Sequence, residues 1–202
     1  MNDKKIATSW LVKVAMLSAV ASVLMFFEMT IPFVPPFLKL DFSDIPALLA
    51  GFSLGPLAGA AVVLIKNLVH ALTSWSFLVG ELANFLIGIS FVLPAAFIYR
   101  KHKNKKNAII GMAVGGVTMT VAAGLLNYFL LIPLYATVLK FPVEAIIGMS
   151  NEVNKHIVDL KTLVLIGITP FNIFKALVNI FITAIIYKRL SPLLHKDYIK
   201  KR

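Results

Sequence analysis

Apolar residues in this chain fall into long stretches separated by short polar breaks. The first runs from Ile6 to Phe27, and others cover Phe77–Tyr99, Ala108–Leu139 and Leu163–Tyr187. A bilayer hydrocarbon core about 30 Å thick is crossed by about 20 mostly apolar residues, so each stretch predicts a spanning helix. Between the first and second, Pro32, Pro35 and Pro36 block a continuing helix, and Ile31–Asp44 reads as an irregular extended loop. Apolar sequence resumes at Ile45, breaks at Ser53-Leu54-Gly55-Pro56, and continues from Leu57 to about Leu72. Polar segments occupy Arg100–Asn107 and the region around Asn151–Lys161. No internal repeat stands out, and no low-complexity tract beyond the basic ends, which argues against a solenoid.

The balance of basic residues decides how often the chain crosses. If Ile45–Leu72 were one span and the N-terminal lysines were cytoplasmic, Arg100–Lys106 would lie outside the cell, against the positive-inside rule. Splitting the stretch at Gly55-Pro56 puts Lys4, Lys5, the Arg100 block and the tail from Lys188 to Arg202 all in the cytoplasm. The expectation is therefore an all-α integral membrane protein, a six-transmembrane-helix bundle with both termini cytoplasmic. A long extracellular loop then follows helix 1, and Lys140–Lys161 forms a second outer loop. Ile45–Ser53 is short for a crossing at about 1.5 Å per residue, so this helix is expected partly within the bundle. The N-terminus resembles a signal peptide, with Ala19-Val20-Ala21 as an apparent cleavage site, but further spans follow it, and an uncleaved first helix is the simpler reading. Residues 1–202 are expected to form a single domain in the cell membrane.

Composition agrees: 59% of the 202 residues are hydrophobic and 14% charged, far from a soluble average. The net charge of +11 reflects topology rather than nucleic acid binding, since the aromatic residues lie inside apolar runs and are not interleaved with basic ones. The absence of cysteine excludes disulfides and thiolate chemistry. Phosphate-loop, nucleophile-elbow and His-Glu-x-x-His motifs are missing, and the four histidines are scattered. No catalytic residue, metal or cofactor is expected.

An ionisable or amide side chain at membrane depth is costly unless it faces the bundle interior. The candidates are Glu28, Lys66, Asn67, His70, Glu81, Asn84, Asn127, Asn172, Lys175 and Asn179. Asn172 and Lys175, three residues apart, share a helical face, as do Glu81 and Asn84. For each, a bond that holds helices together competes with a ligand contact. Ala15, Ala19 and Ser22 form a small-residue stripe on the first span, suited to internal packing or to another membrane protein.

The run Phe37-Leu38-Lys39-Leu40-Asp41-Phe42-Ser43-Asp44-Ile45-Pro46, with Ala50-Gly51-Phe52, Leu54-Gly55-Pro56 and Gly59, resembles the riboflavin-specific substrate-binding subunits (S components) of energy-coupling factor (ECF) vitamin transporters. The likeness extends through Lys66-Asn67, Gly80-Glu81-Leu82-Ala83-Asn84-Phe85 and Asn172-Ile173-Phe174-Lys175, across essentially the whole chain. The resemblance implies an outward-facing riboflavin pocket roofed by the loop after helix 1. Residues matching Asn127, Asn172 and Lys175 would meet the flavin ring, and Leu40 and its neighbours would close over it. It also implies that Ala15 and Ala19 contact a transmembrane coupling subunit, with two cytoplasmic ATPase subunits supplying energy.

Chemistry fits: an asparagine amide offers both donor and acceptor to the imide-like edge of an isoalloxazine, and a lysine donates to ring carbonyls. Glu81 and Asn84 are further candidates for the pocket, and Phe42 or Phe85 for stacking on the ring, a contact worth about 0.5–1.5 kcal/mol beyond burial. Whether the phosphate ester FMN also binds is left open. An S component for another vitamin is the close alternative. A membrane-embedded enzyme using Glu28 or Glu81 lacks a second catalytic group at useful spacing. A purely structural subunit would use its asparagines only to bind helices.

Overall fold

The structure, a computed structural model, describes residues 2–74 and 78–194, with side chains described for 8–74 and 78–187. Among the described residues, four helices are long and apolar enough to cross a membrane, within 8–26, 79–101, 105–138 and 160–187. The helix-by-helix sequence is α1 (Asn2–Phe26), α2 (Asp44–Leu54), α3 (Pro56–Ala71), α4 (Val79–Lys101), α5 (Lys105–Leu126), α6 (Ile132–Val138), α7 (Val143–Val153), α8 (Leu160–Thr162) and α9 (Thr169–Leu194). Phe77 and the end of the basic tail, 195–202, lie outside the described residues.

The break expected at Gly55-Pro56 is present. Gly55 has φ +101, where L side chains are strained, and Pro56 opens α3 at a position whose amide has no helical partner. α2 is apolar on every side, and all of its residues but the last are buried, as a helix without a polar face requires. It packs on α1, α3, α4 and α9, so it is the axis of the bundle rather than a member of its wall. The wall runs through neighbouring contacts from α1 to α3, α4, α5 and α9.

The segments after α1 and between α6 and α9 depart from the sequence expectation. The proline loop contains a short antiparallel ladder, β1 (Met29–Thr30) paired with β2 (Lys39–Leu40), and an ion pair between Lys39 and Glu28 ties its base. Lys140–Lys161 is not a loop throughout, since it folds α7 and the start of α8. Ile146 and Ser150, one turn apart on α7, are buried against the bundle, and that apolar face makes the helix despite polar flanks.

Three prolines within the long apolar spans are accommodated locally. Pro94 in α4 cannot donate to the carbonyl of Ser90, and Thr118 Oγ1 of α5 donates to that carbonyl instead, at 2.6 Å. Pro133 and Pro170 each follow a π-helical turn, at Asn127–Leu131 and Leu163–Ile168. Such widened turns often occur at functional sites. Asn127 opens the first, and Asn172 lies four residues after Ile168, which closes the second.

Candidate functional site

Four buried charged residues, Asp41, Asp44, Lys66 and Lys175, gather with Ser43 where β2 and the start of α2 meet α3 and α9. Lys66 of α3 is wholly buried. Its Nζ donates to Asp44 Oδ1 at 2.5 Å and to Ser43 Oγ at 2.6 Å. Lys175 of α9 donates to Asp41 Oδ2 at 2.6 Å, and Asp41 Oδ1 accepts from the Ser43 backbone at 2.9 Å and from the Ser43 hydroxyl. Two buried cations thus meet two buried carboxylates, and the charge closes locally, as burial in low dielectric demands. Burial alone would raise the Asp41 pKa, but the ammonium groups of Lys175 and Lys66 outweigh it and hold the carboxyl well below the usual carboxylate range.

In the sequence Lys66 stands among the membrane-depth candidates and Asp41, Ser43 and Asp44 within the loop motif, with nothing local to join them. The available signal was charge arithmetic: two lysines inside spans require two acids, and the loop motif carries two.

Asn127 and Asn172 are buried, and each Nδ2 donates to a backbone carbonyl four residues back, Ala123 at 2.8 Å and Ile168 at 2.9 Å. Among the described residues no protein group meets either Oδ1, whereas Asn67 and Asn179 have fully buried, unpartnered Oδ1 atoms. The Asn127 and Asn172 oxygens are therefore uncommitted acceptors that are not sealed in. The helices that carry them, α5 with its π turn and α9, pack side by side. Lys175 uses one of its three donors on Asp41.

The remaining expected residues divide. Leu40 is buried on β2 beside Asp41, and Phe42 and Phe85 are half-buried. Phe85 packs on the apolar cluster that contains Phe52 and Phe91. Glu81 is buried and meets His70 Nδ1 at 2.8 Å, while Asn84 accepts from Asn67 at 3.4 Å. These two acid–amide neighbours on α4 thus bridge to α3. At the opposite end of α4, Tyr99 and Tyr187 join hydroxyls at 2.6 Å and pack against Phe52, closing the interior below. On α1 the small-residue stripe splits: Ser22 is buried, whereas Ala15 and Ala19 are exposed among Leu11, Val12, Met16 and Val20.

Residues 9–187 match the family model described as "ECF transporter, substrate-specific component". The riboflavin transporter RibU of Staphylococcus aureus is 42% identical over 186 residues, covering 92% of each chain. The riboflavin transporter FmnP of Bacillus subtilis is 38% identical over 185 residues, covering 90% of this chain and 92% of that one. A solved structure described as the S component of a bacterial ECF transporter superposes with a TM-score of 0.75 at 41% identity, over 93% of this chain and 98% of the other.

Proposed function

Because the chain belongs to the family of substrate-specific components of ECF transporters, we propose that it is the riboflavin-binding membrane subunit of such a transporter and is not itself an enzyme. The observation that carries this reading is the pair of uncommitted amide oxygens on Asn127 and Asn172, on helices that also carry the partly free donor set of Lys175. A flavin ring presents an imide N–H between two carbonyls. One asparagine oxygen accepts from that N–H, and a Lys175 N–H donates to a carbonyl. Relatives described as riboflavin transporters support the choice of ligand.

In this reading Leu40 and Phe42 close the pocket, with Phe42 or Phe85 stacking on the ring, and Glu81 and Asn84 line its rim. The short helices α2 and α3 complete a six-span, single-domain bundle, with the loop after α1 outside and both termini in the cytoplasm of a cell-membrane protein. The exposed Ala15 and Ala19 meet a transmembrane coupling subunit, and two cytoplasmic ATPase subunits drive transport. The ligand is the vitamin and not a resident cofactor; FMN remains a candidate second ligand.

The test is colour. Protein purified in detergent from riboflavin-fed cells is expected to be yellow, with flavin absorbance in proportion to protein. Colourless protein that leaves added riboflavin fluorescence unchanged would remove the assignment.

A further inference from the structure

The ligand site just proposed reaches the bundle axis through an unbroken chain of buried polar contacts. Lys66 Nζ donates to Ser43 Oγ at 2.6 Å, Ser43 donates to Asp41 Oδ1 from its hydroxyl and from its backbone at 2.9 Å, and Lys175 donates to Asp41 Oδ2 at 2.6 Å. Each carboxylate oxygen of Asp41 has its own partner, so Ser43 and Lys175 do not compete for it. We propose that Ser43 and Lys66 are positioning residues for riboflavin binding: through Asp41 they fix the Lys175 ammonium, and they hold Lys39–Asp44 across the gap between α3 and α9. The inference rests on the reading of Lys175 as a ligand contact.

Three features favour positioning over simple helix cohesion. First, Ser43 has no exposed surface and Lys66 none, so neither contacts ligand and any effect they have on binding passes through another group. Second, the room for the Lys66–Asp44 pair is made by a glycine. A Cβ at Gly88 of α4 would stand 3.3 Å from Asp44 Oδ1 and 3.1 Å from Val63 Cγ1, so the backbone of α4 approaches the pair closely. Third, among the described residues the Lys66 ammonium bonds only Ser43 and Asp44, at the start of α2. A lysine needed merely to join two helices would not require the serine that passes its contact on to Asp41. A long ammonium on a flexible stem is free to rotate, and an oriented carboxylate beside it limits the directions its remaining N–H groups can take.

Ser43→Ala removes the hydroxyl that links Lys66 to Asp41, keeps the backbone N–H bond to Asp41 and leaves all four charges in place. Riboflavin is titrated into the purified wild type, Ser43→Ala, the paired variant Asp41→Asn/Lys175→Met, and the triple variant, with ligand-free unfolding recorded on the same samples. Ser43→Ala alone is expected to weaken riboflavin about five- to tenfold, the scale of one lost hydrogen bond. In the paired background, where the group it positions is gone, the same change is expected to shift affinity by no more than about twofold. Ser43→Thr, which keeps the hydroxyl, is expected to restore most of the loss. Equal effects of Ser43→Ala in both backgrounds would overturn the proposal, as would unchanged affinity with a lowered unfolding temperature, or a Ser43→Ala protein too unstable to titrate, since each makes Ser43 scaffold. If the paired variant binds riboflavin as the wild type does, the reading of Lys175 as a ligand contact fails instead.

Discussion

Replacing Lys175 by methionine removes the cation from an ion pair whose side chains are 7% and 3% exposed, with Nζ and Oδ2 2.6 Å apart. At an effective dielectric of about 20 the pair attraction is about 6 kcal/mol, most of it offset by desolvation of the two ions. The larger effect is the carboxylate left behind, because removing one partner of a buried pair costs about 3–5 kcal/mol. Asp41 retains two bonds from Ser43 and the field of Lys66, which places the expected cost at the lower end, about 3 kcal/mol. At roughly 2–4 °C per kcal/mol for a chain of this size, ligand-free Tm in detergent should fall by about 6–12 °C. Asp41→Asn/Lys175→Met removes both charges and should recover most of that loss. An unchanged Tm for Lys175→Met, or a double variant as unstable as the sum of the singles, would show that the Asp41–Lys175 pair is not a coupled buried ion pair. Titration gives a second check. The Asp41 pKa is depressed in the fold, so its contribution to stability is present above the ordinary value of 3.8 and is lost as pH falls below it toward the folded value. The wild-type Tm should hold its Asp41-dependent part from neutral pH to about 4 and lose it below, while Asp41→Asn lacks that component.

Other consequences follow from the helix contacts. Ala15→Leu/Ala19→Leu fills an exposed surface that small side chains keep open, so uptake in cells should be lost while riboflavin binding by the purified protein is retained; equal loss of both would place these residues in internal packing. Thr118→Val strands the Ser90 carbonyl freed by Pro94 and should cost about 1–3 kcal/mol of stability, with Thr118→Ser nearly neutral. A reporter fused after Lys105 should behave as cytoplasmic, and an external reporter would overturn the proposed topology.

Much of the helix plan was legible because its signals are local. Apolar run length marks α1, α4 and α9, and a glycine–proline pair marks the α2–α3 corner. The buried state of α2 was legible only in part: its shortness showed, but its place at the bundle axis depends on which helices surround it. The helix α7 was missed because its amphipathic face spans only a few turns between polar flanks, and a membrane-length window does not register it. At the site, the spacing of Asn172 and Lys175 correctly gave one buried face. The Asp41–Lys175 pair joins residues 134 apart in sequence, and no periodicity encodes such a contact; only the need for two acids to match two buried lysines points to it. The π turns at Asn127 and before Asn172 depend on how each helix accommodates the proline beyond them, which sequence shows only as a proline.

The most direct measurement is riboflavin titration of purified wild type, Asn127→Ala and Asn172→Ala, followed by flavin fluorescence, with ligand-free Tm recorded in parallel. Each substitution removes an acceptor oxygen that meets no protein group among the described residues. A flavin site at these amides requires saturable binding by the wild type, affinities at least about fivefold weaker for the variants, as for one lost hydrogen bond, and a much smaller proportional loss of stability. Wild-type affinity in both variants with lowered Tm would contradict it, and would place these amides in the scaffold.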